Sequence, residues 1–369
     1  MYDLPPGLET VGRTGVRWRG RTVAYFGGCD YFRLASDPEV VEAACGAARR
    51  FGLGWAAWRR TAGNRGLYGG LEGALAEFFG AEGALLVGSG YATGMAVSQA
   101  CREGFDEVLV DERSHGCIAD VASVFGGRVR EFAHRNVEGL ARMVALEGRE
   151  EGVLVVTDGM FAHDGSVAPL AEYRRVLPKR AWLLVDDAHG AGVLGERGRG
   201  TPEATGVGRR HLIQLITLSK AFGASGGAVL GPRALLREIV KRSAVFVGST
   251  PPPLPMAAAA LASLRRLADE PELRARLVAN SALLKRGLRD AGWPVEATPG
   301  PVAAVLPRSA REAARLQRQL LAHDVFPPFI RYPGGPDRGY FRCAVSSEHT
   351  REQIERLVEG MRLERRGTR

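Results

Sequence analysis

Apolar and polar positions along the chain fall into two recurring signatures. Short, nearly continuous apolar runs lie at 84–88, 107–110, 153–157, 182–186, 213–218 and 227–230 and read as buried strands, and a further strand is expected at 128–132. Between them, apolar residues recur at helical spacing near 93–101, 117–125, 136–147 and 168–176. This alternation predicts an α/β fold whose central sheet is mostly parallel and covered by helices on both faces. Ligands of such sheets bind beyond the carboxyl ends of the strands.

Upstream, Val16–Arg19 and Thr22–Tyr25 flank Gly20-Arg21 and predict a hairpin. Asp37-Pro38-Glu39 predicts a helix start, with Asp37 as the cap and Pro38 in the first turn. The stretch 52–70 carries glycines, tryptophans and arginines without a period and reads as irregular. A helix over 71–79 follows it. The run Thr250-Pro251-Pro252-Pro253-Leu254-Pro255 ends the alternation. Beyond it come a long helical stretch (256–291), strands at 302–306 and 340–345, and an arginine-rich tail (364–369) expected to fray. The breaks divide the chain into an N-terminal segment (1–33), a large domain (34–253) and a smaller α+β domain (254–369).

Composition narrows the class. The 369 residues are 45% hydrophobic and 25% charged, as in a globular enzyme-sized chain. No apolar run approaches the roughly 20 residues that span a bilayer, which argues against a membrane partner. The start, MYDLPPGLET, lacks the basic and apolar regions of a secretory signal. Five scattered cysteines with no C-x-x-C pair argue for reduced thiols in the cytoplasm and against a metal site. The net charge of +9 is spread along the chain without an aromatic-interleaved basic stripe. It therefore speaks for a solvated surface or an anionic ligand rather than for nucleic acid.

Candidate chemistry collects at the strand ends. Lys220 sits between the run 213–218 and a glycine-rich turn, where desolvation would favour an unprotonated amine able to form a Schiff base. Locally, the same pattern describes a loop lysine in solvent equally well. Asp186 ends one strand, with His189 three residues on. A carboxylate there needs a cation. Ser89-Gly90-Tyr91 lies at a strand-to-helix turn, where free N–H groups suit a phosphate. His115 begins another helix and would either stack on a ring or cap that helix. Pyridoxal 5′-phosphate has an aldehyde for a lysine, a ring nitrogen for a carboxylate and a phosphate for the turn.

With these residues in place, the blocks VDDAHGAGVLGERGRG (185–200), TLSKAFGASGGAVLG (217–231), DERSHGCIADVA (111–122) and VTDGMFAHDGSVAPL (156–170) resemble the α-oxoamine synthases. The resemblance runs from about Val23 to Leu363 and is nearest to the 8-amino-7-oxononanoate-forming group. It implies a fold-type-I pyridoxal-phosphate enzyme that condenses a small amino acid with an acyl thioester, carried on coenzyme A or an acyl-carrier protein. It further implies a homodimer with a shared active site.

Position by position, the likeness makes Lys220 the Schiff-base lysine that later moves the substrate proton. It pairs Asp186 with the ring nitrogen, His189 with the ring hydroxyl, and His115 with the ring face. Gly90, Tyr91 and Thr217 would hold the phosphate, joined by Ser249 or Thr250 of a second subunit. Arg342 would receive the substrate carboxylate as a bidentate fork.

Departures concentrate on the substrate side. Trp55, Trp58, Arg59 and Arg60 replace a glycine- and serine-rich loop. Tyr68 stands for a histidine, Cys29 for an asparagine and Ala162 for a serine. The bulky loop would reshape the acyl channel, and Arg59 or Arg60 would meet a carrier's phosphate. Alternatively, the loop turns outward and packs on the partner subunit. The substitutions leave open an aminotransferase or decarboxylase on the same fold, and a non-catalytic binding protein retaining it.

Overall fold

The central apolar runs become strands because residues along them are shielded from water on both faces, while the edge strand Arg128–Phe132 is mostly exposed. In the computed structural model, which describes residues 7–54, 56–147, 151–332 and 335–362, every residue of strands Val153–Asp158, Leu212–Thr217 and Gly227–Gly231 is buried. The tail 364–369 and Trp55 lie outside the described residues.

Seven described strands form the large sheet, in the order Gly83–Val87, Gly227–Gly231, Leu212–Thr217, Trp182–Asp186, Val153–Asp158, Glu107–Asp111, Arg128–Phe132. The last five are mutually parallel, while Gly227–Gly231 runs antiparallel to both neighbours. The period of two sorts the side chains. Leu154, Val156 and Leu184 pack on one face with Ala96 and Val97 of helix Tyr91–Ala100. Val153, Val155, Leu183 and Val185 pack on the other with Leu170 and Tyr173 of helix Leu170–Val176.

The chain divides into two compact units. One comprises Leu34–Ala162 and Val167–Pro271, the other Met1–Arg33, His163–Ser166 and Glu272–Arg369. The sequence reading sets its second break at 253/254 and keeps residues 1–33 apart. Here helix Leu254–Asp269 stays with the large sheet because it packs on helices Pro38–Phe51 and Gly66–Phe79. Arg266 of that helix also reaches the cap Asp37 at 3.1 Å. Asp37 itself accepts from the Glu39 and Val40 amides, as its position before Pro38 predicts. The helical stretch 256–291 breaks at Glu270, where Pro271 starts the next helix.

Two other expectations are corrected by local geometry. The hairpin turns at Arg19-Gly20, not Gly20-Arg21, with both residues at positive φ and Trp18 opposite Arg21. Two-residue turns with positive φ at both positions match the strand twist. The glycine-rich stretch already contains a helix, Gly66–Phe79. Tyr68, Leu71, Leu75 and Phe79 recur every three or four residues and bury one face, which outweighs the glycines in its first turn. The second unit holds the hairpin strands in one small sheet, and Val302–Val305, Tyr340–Ala344 and Phe329–Ile330 in another.

Asp187 locks the turn after the central strand. It is fully buried and accepts from the Thr201 hydroxyl at 2.6 Å, the Thr201 amide at 2.9 Å and the Gln214 side-chain amide at 2.6 Å. Burial raises its pKa from 3.8 to about 7 against the pull of those donors. A raised carboxyl pKa means that the folded state binds the proton more tightly. The stability this group contributes is complete below its ordinary pKa and is lost as pH rises through about 7. Asp187→Asn is expected to flatten the dependence of the urea midpoint on pH across that interval while lowering stability throughout it. Leu184→Ala, at a position 1% exposed, is expected to cost about 2–5 kcal/mol in the same titrations.

Candidate active site

Parallel pairing brings strand ends to one level, and the register decides which side chains meet there. Asp158 is directly opposite Asp186 on the neighbouring strand. Gly227 is opposite both Thr217 and Val87, which places the turn Ser89-Gly90 beside Thr217. Space there is so tight that a β-carbon on Gly90 would lie 2.7 Å from the Thr217 hydroxyl oxygen. One on Gly227 would lie 2.7 Å from the Gly90 backbone. Only glycine fits either position.

Ser89 Oγ accepts from the Ala92 amide at 3.2 Å, and Thr93 Oγ1 donates to the Gly90 carbonyl at 2.6 Å. Thr217 Oγ1 accepts from the Ser219 amide at 3.2 Å and donates to the Gly226 carbonyl at 3.3 Å. The first turn of helix Tyr91–Ala100 thus opens beside two hydroxyls, a combination suited to a phosphate. Tyr91 is 60% exposed, with its ring edge-on to His115 at 6.3 Å.

Lys220 Nζ lies 2.8 Å from His189 Nε2. Two nitrogens at that distance share one proton, so one of them is the acceptor. Asp186 is buried. Its Oδ1 accepts from the Ala188 amide at 3.0 Å, and its Oδ2 accepts from the Cys117 thiol at 2.9 Å. His115 caps helix Gly116–Ala119 through Nδ1, which accepts from the Cys117 amide at 3.2 Å. The His115 amide donates to Asp158 Oδ1 at 2.9 Å. Burial, and next the charge of Asp186, push the Asp158 carboxyl well above the ordinary carboxylate range. Burial and Asp186 likewise push the Cys117 thiol up.

The structure therefore gathers Ser89, Gly90, Tyr91, His115, Asp186, His189, Thr217 and Lys220 within one unit, at the carboxyl ends of its strands. It adds Cys117 and Asp158, which the sequence reading passed over. Asp158 was visible as one of three strands ending in aspartate. Cys117 had no such signal, since its partner is 69 residues away. Donor atoms of His115, Cys117 and Asp186 lie within 4.8 Å of one another, a closeness no histidine spacing revealed.

These groups fit pyridoxal phosphate. They offer an amine for its aldehyde, a buried carboxylate for its ring nitrogen, and the hydroxyls of Ser89 and Thr217 at a helix N-terminus for its phosphate. The thiol keeps its proton in this arrangement, and three donors fall short of a closed tetrahedral zinc site.

The substrate-side candidates are placed differently. Arg59 was expected to meet a carrier's phosphate. Its guanidinium instead pairs with Glu72, bonds Asn64 Oδ1 at 3.0 and 3.1 Å, and lies 5.1 Å from the Tyr68 ring centre. A nearby half-buried carboxylate outcompetes solvent for that charge. Trp58 is exposed, and its carbonyl closes the turn by accepting from the Thr61 and Gly63 amides. The Tyr68 hydroxyl donates to the Pro252 carbonyl at 2.8 Å. Ser249 donates to the Val245 carbonyl, and the Thr250 carbonyl abuts Gly88.

In the other unit, Arg342 donates to the Gly28 carbonyl at 3.3 Å and contacts the Cys29 sulfur at 3.6 Å. The buried Tyr31 hydroxyl bonds Arg342 as well.

Comparison with known proteins follows the same lines. Residues 35–361 match the aminotransferase class I and II family. An 8-amino-7-oxononanoate synthase of Thioalkalivibrio sulfidiphilus is 36% identical over 352 residues, covering 95% of this chain and 90% of the relative. One from Anaeromyxobacter dehalogenans is 39% identical over 367 residues, covering 97% and 91%. A serine palmitoyltransferase from S. paucimobilis, solved with a bound PLP–myriocin aldimine, superposes with a TM-score of 0.89. It is 28% identical and covers 96% of this chain and 91% of that one. The chain belongs to the aminotransferase class I and II family, among the fold-type-I α-oxoamine synthases related to 8-amino-7-oxononanoate synthase.

Proposed function

We propose that the protein is a pyridoxal-phosphate-dependent acyltransferase that condenses a small amino acid with an acyl thioester. The observation that carries this reading is Lys220 Nζ at 2.8 Å from His189 Nε2, in the unit whose buried Asp186 is held by two donors. When bound, the cofactor supplies a ring that accepts the electron pair left at the substrate α-carbon.

The chain's own groups do the rest. Lys220 is the amine for the cofactor's aldehyde and then the base that takes and returns the α-proton. His189 orients Nζ and, by sharing a proton with it, keeps one of the two nitrogens available as an acceptor. Asp186 pairs with the protonated ring nitrogen, the cation that its buried charge requires. His115, whose Nδ1 is taken up by the Cys117 amide, would lie against the cofactor ring and would donate a proton from Nε2 to a developing oxyanion.

Ser89, Gly90, Tyr91 and Thr217 seat the phosphate. Arg342, with Tyr31 and Cys29 beside it, receives the amino acid carboxylate as a two-pronged donor. The acyl group arrives on coenzyme A or an acyl-carrier protein. The working form is a homodimer in which Ser249 or Thr250 reaches the neighbouring subunit's phosphate seat. Five unpaired thiols support a reducing, cytoplasmic setting.

Two measurements test the reading. Lys220→Ala is expected to abolish both the visible absorption of the cofactor-loaded protein and borohydride-fixed attachment of the cofactor in mass spectrometry. Attachment persisting at another residue would overturn the assignment. Incubation with small amino acids and acyl-coenzyme A is expected to release free coenzyme A thiol. Formation of a keto acid without any thioester would instead assign the protein to aminotransfer.

A further inference from the structure

Asp186 is the charge on which the proposed chemistry turns, and its surroundings are asymmetric. Oδ1 is fixed by a backbone donor, the Ala188 amide at 3.0 Å, which no side-chain replacement would remove. Oδ2 is fixed by a side chain, the Cys117 thiol at 2.9 Å. Cys117 stands at the first turn of helix Gly116–Ala119, is 4% exposed, and packs among the apolar residues of the sheet face. We infer that Cys117 is a positioning residue for the cofactor: its thiol holds the Asp186 carboxylate in one rotation by donating to the oxygen that the Ala188 amide leaves open. The inference rests on the reading of Asp186 as the ring-nitrogen partner.

The physical argument has two parts. A carboxylate held at both oxygens cannot turn, so the direction of its remaining lone pairs is set before the cofactor arrives. That pre-organisation is what supporting hydrogen bonds contribute to a functional site. A donor on Oδ2 also stabilises the ionised carboxylate over the neutral acid. Without it, a proton between ring nitrogen and carboxylate would shift toward the oxygen.

The neighbours bear on both parts. Asp158 stands opposite on the adjacent strand, and Asp187 follows in the turn. Both are buried acids that burial, and then the Asp186 charge, push upward. Lys220 lies close enough to draw down both Asp158 and Cys117. His115 lies within the same 4.8 Å group, and His189 shares the turn. With acids flanking it on two sides, the orientation of Asp186 rests on its two donors. The thiol is the only side-chain hydrogen-bond donor given to it among the described residues. The direction of the thiol shift agrees: burial and the Asp186 charge keep the proton on sulfur, where it serves as a donor.

The test uses the cofactor-loaded protein and three replacements of Cys117. Alanine removes donor and volume, valine keeps volume without a donor, and serine keeps a donor. The dissociation constant for pyridoxal phosphate is expected to rise roughly tenfold in Cys117→Ala and in Cys117→Val, the range of one hydrogen bond to a charged group. Cys117→Ser is expected to restore it to within about threefold. In protein loaded with cofactor labelled at the ring nitrogen, the nitrogen resonance is expected to move toward neutral pyridine in the alanine and valine variants and to return with serine.

Wild-type affinity and resonance in Cys117→Val would overturn the inference. So would a serine variant that folds, by its melting curve, yet behaves like alanine. Asp186→Asn separates the two levels. If it leaves cofactor affinity and ring protonation unchanged, the pairing of Asp186 with the ring fails, and the role of Cys117 falls with it. If Asp186→Asn weakens binding while the Cys117 variants do not, the inference fails alone.

Discussion

Buried negative charge at the ends of parallel strands is the constraint on which the rest of this structure depends. Three neighbouring strands end in aspartate: Asp111, Asp158 and Asp186. Parallel register places those ends at one level, and each carboxylate must find donors there or lose its charge. Asp111 is met by the amides of Arg113 and Arg135 and by His134. Asp158 receives the His115 amide but is pushed toward neutrality by burial and by Asp186. Asp186 has one amide and one thiol. Of the three, Asp186 is the one proposed to pair with the pyridine nitrogen, and its two oxygens are each fixed by one donor.

Much of this was legible in the sequence because the sheet is built from local signals. Continuous apolar runs marked the strands, and the residue after each run marked a position at the binding edge. Lys220, Asp186, His189 and the turn Ser89-Gly90 were found that way. Partners that depend on register were not. Cys117 meets Asp186 only because a short helix starts where its side chain reaches the next strand but one, a relation absent from either local pattern. The helix Gly66–Phe79 was shortened in the reading for a different reason. Glycines hide the start of an apolar face that becomes plain only when Tyr68 is counted with Leu71, Leu75 and Phe79.

The substrate-side departures look, from the sequence, independent of the cofactor anchors. The structure joins them. Arg59 is bound to Glu72, and Glu72 also accepts from the Leu86 amide at 2.8 Å. Leu86 belongs to the strand that ends just before Ser89-Gly90. The loop arginine is thus two contacts from the strand that leads into Ser89-Gly90. Removing it would strand a largely buried carboxylate beside that strand, a larger perturbation than losing a surface charge.

Tyr68 makes a second link. Its hydroxyl holds the Pro252 carbonyl, two residues beyond Thr250, whose own carbonyl lies against Gly88. A histidine at position 68 would place a ring nitrogen nearer its own backbone and leave the Pro252 carbonyl without that donor. Arg59 and Tyr68 therefore work as supports of the strand before Ser89-Gly90 and of the segment 249–252. The Arg59 guanidinium is engaged by Glu72 and Asn64, so its charge serves the packing of this segment.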